Sequence, residues 1–548
     1  MTRSLFPITA WLLLGVVGLC VPSPISAQTP VTVVNVWAAE TERFDYFGSD
    51  LKMLGDLLVV GSEGDESFGF AGASAPGGVV VFRHTGTGAF GGYAQESSLR
   101  PAPVSVLPGG AGVPTGKYGF AVDACVVPGS DTFVVGGAPY EGARNPADPN
   151  RDWIRAGAAY VHRRDAASGV WSLDGRLAVP DPRDYAYGGV AVGIACEASA
   201  VPGDPPTVEA VVWVDTRFVV WHRDAAGAWS MRQTTPFGVG ALPVSGVTDV
   251  FVVSAPGPAA TRPVLAMIGG QWVDVLRRSG PEGAPWTAEA MLSSPLTGPN
   301  DFYGRAIAID RDLIVVGTEY DPPSGPYEGG RAHVYRYTGT GPFGGWEEEA
   351  VLTPAVPRDR FGGEVAVYAG AAGDGVGARV AVRSARGVTT FRREAAGVWR
   401  EEVLIESGAG PTYPWAGVLG GMDSRYLAFG NYIDNTRGTE AGIVHLLDLR
   451  SVVAAEDAPG DAAQTLAVSG PNPARARTEV TLTLAEAASV MVGLFDALGR
   501  RVAVLHEGAL AAGVTEVAVE LSGMPPGVYV VRATVGSQVA SARLVVAR

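Results

Sequence analysis

Five histidines lie in the body of the chain, at positions 84, 162, 222, 333 and 445, each on or beside a short β-branched or aromatic run. A metal centre needs ligands that converge, and neither an H-E-x-x-H pair nor a Cys/His spacing of the zinc kind is present. Because each His occupies the same place in a recurring segment, the five are dispersed rather than gathered, and no metal site is expected. No G-x-S-x-G nucleophile elbow occurs, and Gly61-Ser62-Glu63-Gly64 is turn chemistry. Acids recur three residues before a glycine at Asp45, Asp301 and Asp359, with Asp184 one residue earlier. An active-site reading would make them a ring of carboxylates. Acid–base catalysis, however, needs one pair whose environments differ, and a repeated Asp is better explained as a turn residue accepting backbone N–H groups. The tryptophans 171, 229, 286, 346 and 399 recur in the same manner and read as packing. No catalytic residue and no cofactor is expected. Cys125 and Cys196 each follow a Tyr-Gly by an even number of residues, which places them on one face of equivalent strands. In an oxidising compartment they are open to a disulfide; the other reading is two small buried hydrophobes.

The elements that must hold these residues are repeated. Seven openings recur: DYFG (45–48), KYGF (117–120), YAYGG (185–189), PFGVG (236–240), DFYGR (301–305), DRFGG (359–363) and PWAGV (414–418). Behind most of them comes a second run, at 57–62, 132–139, 250–256, 313–318 or 426–431. A third run follows at 78–84, 157–164, 217–223, 272–278, 331–337, 388–393 and 442–448, and an aromatic-led fourth at 93–99, 171–177, 286–292, 346–352 and 399–404. Each run is strand-length and bounded by Gly or Pro. The composition fits, with 74 Gly, 40 Pro and only 18% charged residues among 548. Four antiparallel strands per repeat predict an all-β fold, a seven-bladed β-propeller with four-stranded blades. The last unit lacks its fourth strand, while VTVVNVW (31–37) stands before the first opening; this N-terminal strand is expected to close the last blade and remove an exposed edge.

The openings and the VVG-containing second runs resemble the FG-GAP-type repeat of bacterial extracellular propellers over roughly residues 31–450. Integrin-like members carry a D-x-[DN]-x-D-G calcium loop in the repeat. Only isolated acids stand at 308–313 and 421–427 here, too few for a calcium ion that takes six to eight oxygens, so calcium is not carried over.

Both ends of the chain read as export signals. Arg3, the apolar run Ile8–Val21 and the stretch ending in Ser26-Ala27 make residues 1–27 a signal peptide, cut between Ala27 and Gln28. Acylation at Cys20 is the rival, weakened by Leu19 where a small residue is needed. No later segment is apolar for the length of a spanning helix. Residues 28–450 form the propeller, 451–465 an Ala-rich acidic linker, and 466–548 several alternating strands that imply a small Ig- or fibronectin-like β-sandwich. FDALGRRV within it reads as a hairpin turn. The final region resembles the C-terminal sorting domain of type IX (Por) secretion cargo through Pro471-Asn472-Pro473, Gly499 and Arg500 in the strand–turn–strand segment, Gly527 and Tyr529, and a basic end. The resemblance implies a Gram-negative host of the Bacteroidetes type and the outer-membrane secretion machinery as partner. It also implies removal of the domain, with the cargo linked to surface lipopolysaccharide or released.

A formal net charge of −15 disfavours nucleic acid and anionic lipid as partners. The remaining feature that repetition does not explain is loop length between second and third runs, at 63–77, 139–156, 319–330 and 431–441. In an up-down blade these loops share one face of the ring. They bring Tyr140, Arg144, Asn145, Asp148, Arg151, Trp153, Tyr320, Tyr327, Tyr432, Asp434 and Asn435 to that face, residue types of recognition surfaces. The expectation is a secreted or cell-surface binding or adhesion propeller for an extracellular protein or glycan. The alternatives are a passive surface component and a propeller enzyme acting on polysaccharide, which would need Asp148 or Asp152 paired with Asp321 or Asp434 at 5–10 Å.

Overall fold

Runs of Val, Leu and Ile bounded by glycine become strands because β-branched side chains suit a pleated surface packed on both sides. The computed structural model describes residues 33–38, 46–64, 77–88, 90–101, 116–127, 129–145, 147–148, 152–197, 205–215, 217–236, 251–254, 263–268, 272–278, 285–293, 303–319, 329–341, 344–353, 360–370, 377–385, 387–394, 398–406, 418–432, 434–435, 441–449, 464–470, 472, 474–484, 487–495, 501–525, 527–535 and 538–546. It divides into two compact units, 33–447 and 448–548.

Among the described residues the first unit holds seven four-stranded antiparallel sheets, six of them meanders. Their innermost strands are Phe47–Leu54, Val122–Val126, Val192–Glu197, Phe251–Ser254, Tyr303–Asp310, Glu364–Tyr368 and Leu419–Met422. Each inner strand touches the next, and the seventh touches the first, so the sheets, numbered 1 to 7 in that order, stand in a closed ring. This is a β-propeller. Closure is covalently unusual only in sheet 7, whose outer strand is Val33–Val36, paired antiparallel with Ile443–Asp448 from Val33↔Leu447 to Val36↔Val444. The N-terminal strand supplies the fourth member that the last repeat lacks.

Second strands are the most buried elements; Leu57–Val60, Phe133–Val135 and Leu313–Val316 are wholly inaccessible because neighbouring sheets cover both faces. One strand is displaced from its expected place. Phe251–Ser254, expected as a second strand, is the inner strand of sheet 4, and Pro263–Ile268 takes the second position. The Val-Val pair alone does not distinguish the two, because inner and second strands are both packed on two faces.

The aromatic–glycine openings form the seams. Gly48, Gly119, Gly189 and Gly362 have φ of +88°, +89°, +93° and +92°, and the preceding turn places Tyr46, Lys117, Tyr187 and Arg360 in the left-handed region as well. The openings at these four glycines lie flat on the previous sheet. A Cβ on Gly317 of sheet 5 would stand 2.1 Å from the Gly362 carbonyl of sheet 6, and one on Gly430 of sheet 7 would stand 2.2 Å from that of Gly48 in sheet 1. The seam between sheets 7 and 1 is therefore built like the others, and Phe47 N–H donates to the Ala441 carbonyl across it at 3.0 Å.

The outer edges carry a second repeated clamp. A fourth-strand carboxylate takes an Arg from its own sheet and a Trp or Arg from the next. Glu349 accepts from Arg336, from Arg393 Nε at 2.5 Å and from Trp399 Nε1 at 3.0 Å. Asp174 likewise accepts from Arg223 Nε at 2.7 Å and from Trp229 Nε1 at 2.8 Å, and Glu289 from Trp346 Nε1 at 2.9 Å.

The second unit is a two-sheet sandwich. Gln464–Val468, Arg477–Leu484 and Gly513–Glu520 face Arg501–Leu510, Ala488–Phe495, Gly527–Val535 and Gln538–Val546. Val480, Leu482, Val492, Leu494, Val531 and Leu544 fill the space between them. The first strand begins at Gln464, inside the stretch expected as linker.

Candidate functional site

The inner strands enclose a cavity of about 690 Å³, within the range of small-molecule sites. Its walls come from sheets 1, 2, 3, 5, 6 and 7 and are mostly apolar, with Val122, Ile194, Ile309, Val367 and Met422 among them. They extend to the hairpins joining first and second strands, at Gly55-Asp56, Asp310-Arg311 and Asp423-Ser424. An up-down sheet puts these hairpins on the face opposite the long loops. Cys125 and Cys196 join in a disulfide with Cα atoms 5.6 Å apart, tying the inner strands of sheets 2 and 3 within this wall.

Four acids punctuate the apolar strands. Asp50 Oδ2 accepts from Val122 N–H at 2.7 Å and its Oδ1 from Leu51 N–H at 2.9 Å. Asp123 Oδ2 accepts from Ile194 N–H at 2.9 Å, and its Oδ1 lies 2.8 Å from Lys52 Nζ. Asp310 Oδ2 accepts from Ala369 N–H at 2.7 Å. Asp50 and Asp123 thus grip the inner strand of the next sheet, and Asp310 the residue just past the end of one. Glu364, two residues after the opening glycine of sheet 6 as Asp50 is in sheet 1, lies 3.7 Å from Arg383. Loss of hydration raises Asp50 to about 7 against the two backbone N–H groups that favour its charge, with Glu364 and Asp123 adding repulsion. Burial raises Asp310 too.

Near the mouth, Tyr93 packs edge to face against His84, 5.0 Å between centroids, and against Tyr426, with His84 tilted on Tyr426. The Arg425 guanidinium lies 4.6 Å from the Tyr426 centroid and 3.4 Å from His84 Nε2. Asp423, raised by burial, accepts from the Arg425 and Tyr426 N–H groups.

The residues expected on the long-loop face fall into separate places. The loop of sheet 2 contains a two-residue hairpin, Ala143-Arg144 against Asp152-Trp153. Asn145 is buried and accepts from Ala147 N–H at 2.9 Å; Asp148 is exposed and Trp153 half-buried. Tyr140 packs 5.7 Å from Tyr187 of sheet 3, beneath Arg155 and Lys117. Tyr432, in sheet 7, packs 6.2 Å from Tyr46 of sheet 1, with Asp434 and Asn435 beside it in its loop. Tyr140 and Tyr432 therefore belong to different seams. Asp148 and Asp434 stand in sheets 2 and 7, with sheet 1 between. Arg151, Tyr320, Asp321 and Tyr327 lie outside the described residues, as do Asp45, Asp301, Asp359, Ala27 and Gln28. Asp184 Oδ1 accepts from Ile154 N–H at 2.9 Å. The histidines have separate partners: Tyr118 for His162, Glu348 for His333 and Asn35 for His445. Among the described residues no group of three His, Cys, Asp or Glu is placed to hold a metal ion, and no helix is long and apolar enough to cross a membrane.

The repetition in the sequence points to acids before the openings and passes over Asp50, Asp123 and Glu364, which stand after them. The signal was there: GSDLKML and AVDACVV each interrupt an apolar strand with one acid.

In the sandwich, Asn472 Oδ1 accepts from Val545 N–H at 2.8 Å and Tyr529 OH donates to the Pro525 carbonyl at 2.9 Å. These pin the connection between the unit's first two strands to its last strand and close the turn before Gly527. Pro471, Pro473, Gly499 and Arg500 lie outside the described residues.

Comparison with known proteins agrees with both units. Residues 286–335 match the FG-GAP repeat, a span from the outer strand of sheet 4 to the third strand of sheet 5. Residues 471–547 match the secretion system C-terminal sorting domain. The chain carries that domain, which directs export to the cell surface or extracellular space of Bacteroidetes-type bacteria and engages the type IX machinery. Similar solved structures include PorZ of Porphyromonas gingivalis, a surface component of the type IX secretion system, at 12% identity and TM-score 0.40, covering 94% of this chain. The chain spans only 61% of the PorZ chain. Others are the periplasmic gluconolactonase PpgL of Pseudomonas aeruginosa (15% identity, TM-score 0.37, 80% of this chain and 94% of that one) and a putative 6-phosphogluconolactonase of Bacteroides uniformis (11%, 0.38, 82% and 97%). No curated protein sequence matches.

Proposed function

We propose that this chain is an exported propeller that works by binding, and that the central cavity takes a small molecule or the end of a larger extracellular ligand, protein or glycan. One observation carries the reading: an apolar cavity of about 690 Å³ whose carboxylates Asp50, Asp123 and Asp310 are each engaged by backbone N–H groups of the neighbouring sheet. Groups held that way orient and discriminate, while general acid–base work needs a carboxyl free to reach the substrate. The leader at 1–27 belongs to the same reading. A thermal-shift screen of the full chain against sugars, amines and amino acids is expected to give stabilising hits. Val126→Trp, at the hairpin end of the cavity, should abolish them. Hits that survive in the Trp variant would place the site elsewhere. Asp50, held near neutrality, favours a second reading as a polysaccharide-cleaving enzyme, which turnover on a polysaccharide, lost in Asp50→Asn, would establish.

A further inference from the structure

On the long-loop face, the end of the sheet 2 loop is laced to the opening of sheet 3. Tyr185 N–H donates to the Ile154 carbonyl at 2.8 Å, Tyr187 N–H to that of Arg155 at 3.0 Å, and Gly188 N–H to that of Ala156 at 2.9 Å. The lacing makes a rigid ledge, and it presents Ile154 at 53% and Tyr185 at 54% exposure, with Arg155 exposed between them.

Two of these residues are ones the backbone would not choose. Arg155 has φ +52° and Tyr185 φ +62°, in the left-handed region where a side chain is strained and glycine or asparagine is at ease. The adjacent left-handed positions at Lys117 and Tyr187 recur at the seams as part of the repeat. Neither side chain is buried, so packing does not account for the strain, and strain of this kind points to what the side chains do outside. Arg155 lies 4.6 Å from the Tyr140 centroid and 3.5 Å from Tyr187 OH, and no carboxylate among the described residues pairs with it, in a chain with net charge −15. Most arginines of the ring are matched to acids; this one is held by tyrosines.

We infer that the ledge of Tyr140, Arg155, Tyr185 and Tyr187 is a binding site for an acidic polysaccharide, independent of the central cavity. A pyranose presents a flat C–H face that stacks on an exposed aromatic ring, and a carboxylate or sulfate set at fixed distance from that face meets the guanidinium fork. The preformed ledge loses little freedom on binding, which suits a repeating, weakly contacting polymer. An acidic peptide supplies the charge without the stacking face.

The test uses the full chain and four immobilised probes: polygalacturonate, heparin, neutral dextran and polyglutamate. Binding to polygalacturonate, heparin or both is expected, uronate and sulfate being told apart by which one, with dextran and polyglutamate bound at least about tenfold more weakly. Tyr185→Gly and Arg155→Gly place glycine where the backbone favours it, so each should keep the thermal midpoint while losing about tenfold or more in affinity. Tyr185→Phe should bind as the parent does. The proposal falls if neither acidic polysaccharide binds, if polyglutamate binds equally, or if the glycine variants bind unchanged. It falls too if those variants lower the midpoint by more than a few degrees, since the side chains would then serve the fold.

Discussion

Asp50 is a carboxyl held near neutrality inside a wall that needs it uncharged. Its folded-state value of about 7 lies above the ordinary carboxylate range near 4, so between those pH values the folded chain keeps a proton that the unfolded chain has released. Its contribution therefore falls as pH rises from 4 to 7 and is flat beyond. Burial sets this balance first, against the Val122 and Leu51 N–H groups, and Glu364 and Asp123 are the charged groups that add to it. Comparing urea midpoints at pH 5 and pH 8, we expect the wild type to lose stability relative to Asp50→Asn at the higher pH; parallel values would mean that Asp50 is ionised throughout. His162 works in the other direction. Burial beside the Tyr118 hydroxyl lowers it to about 4, so its contribution is lost as pH falls below the ordinary imidazole range. At this scale the sequence was only partly legible. The dispersal of the histidines follows from their equivalent positions on third strands. The inner-strand acids are marked in the sequence only as single interruptions of apolar runs, and their burial arises only when one sheet is laid on the next; the left-handed backbone of Arg155 and Tyr185 carries no mark in the sequence at all.

The element that makes the ring is the seam. An opening turn can lie flat on the preceding sheet only if both surfaces lack side chains, which is the physical content of the aromatic–glycine motif and of the glycine closing each VVG run. Gly317→Ala forces a methyl group to 2.1 Å from a backbone carbonyl that cannot rotate away, and should cost about 3 kcal/mol or more. Gly55→Ala is the control. Its φ of +60° is left-handed but nothing lies within 4 Å of the added carbon, so about 1 kcal/mol is expected. Denaturation midpoints separate the two, and equal losses would show that conformational freedom, not close approach, selects glycine at the seam. Strand positions were largely readable from composition and spacing. The exception, Phe251–Ser254, shows the limit: a run of Phe-Val-Val has no apolar–polar alternation to reveal its place in the sheet.

For the whole molecule, a ring of sheets covers both faces of every member only when first and last meet. Here both the Val33–Val36 strand and the Phe47–Gly442 seam make that junction, the one anticipated from the missing fourth strand and the other visible only in three dimensions. A closed ring is a stable platform for carriage out of the cell, and the sorting sandwich gives the route. The ligand was not legible, since recognition depends on side chains that the ring brings together from distant repeats. Export to the cell surface or the medium is what the sorting sandwich provides. Its most direct measurement is the distribution of the full chain, and of a chain ending at residue 450, among surface, medium and periplasm in a host with the type IX route. The full chain should reach surface or medium while the truncated chain stays folded in the periplasm. Equal distribution of the two would contradict the account.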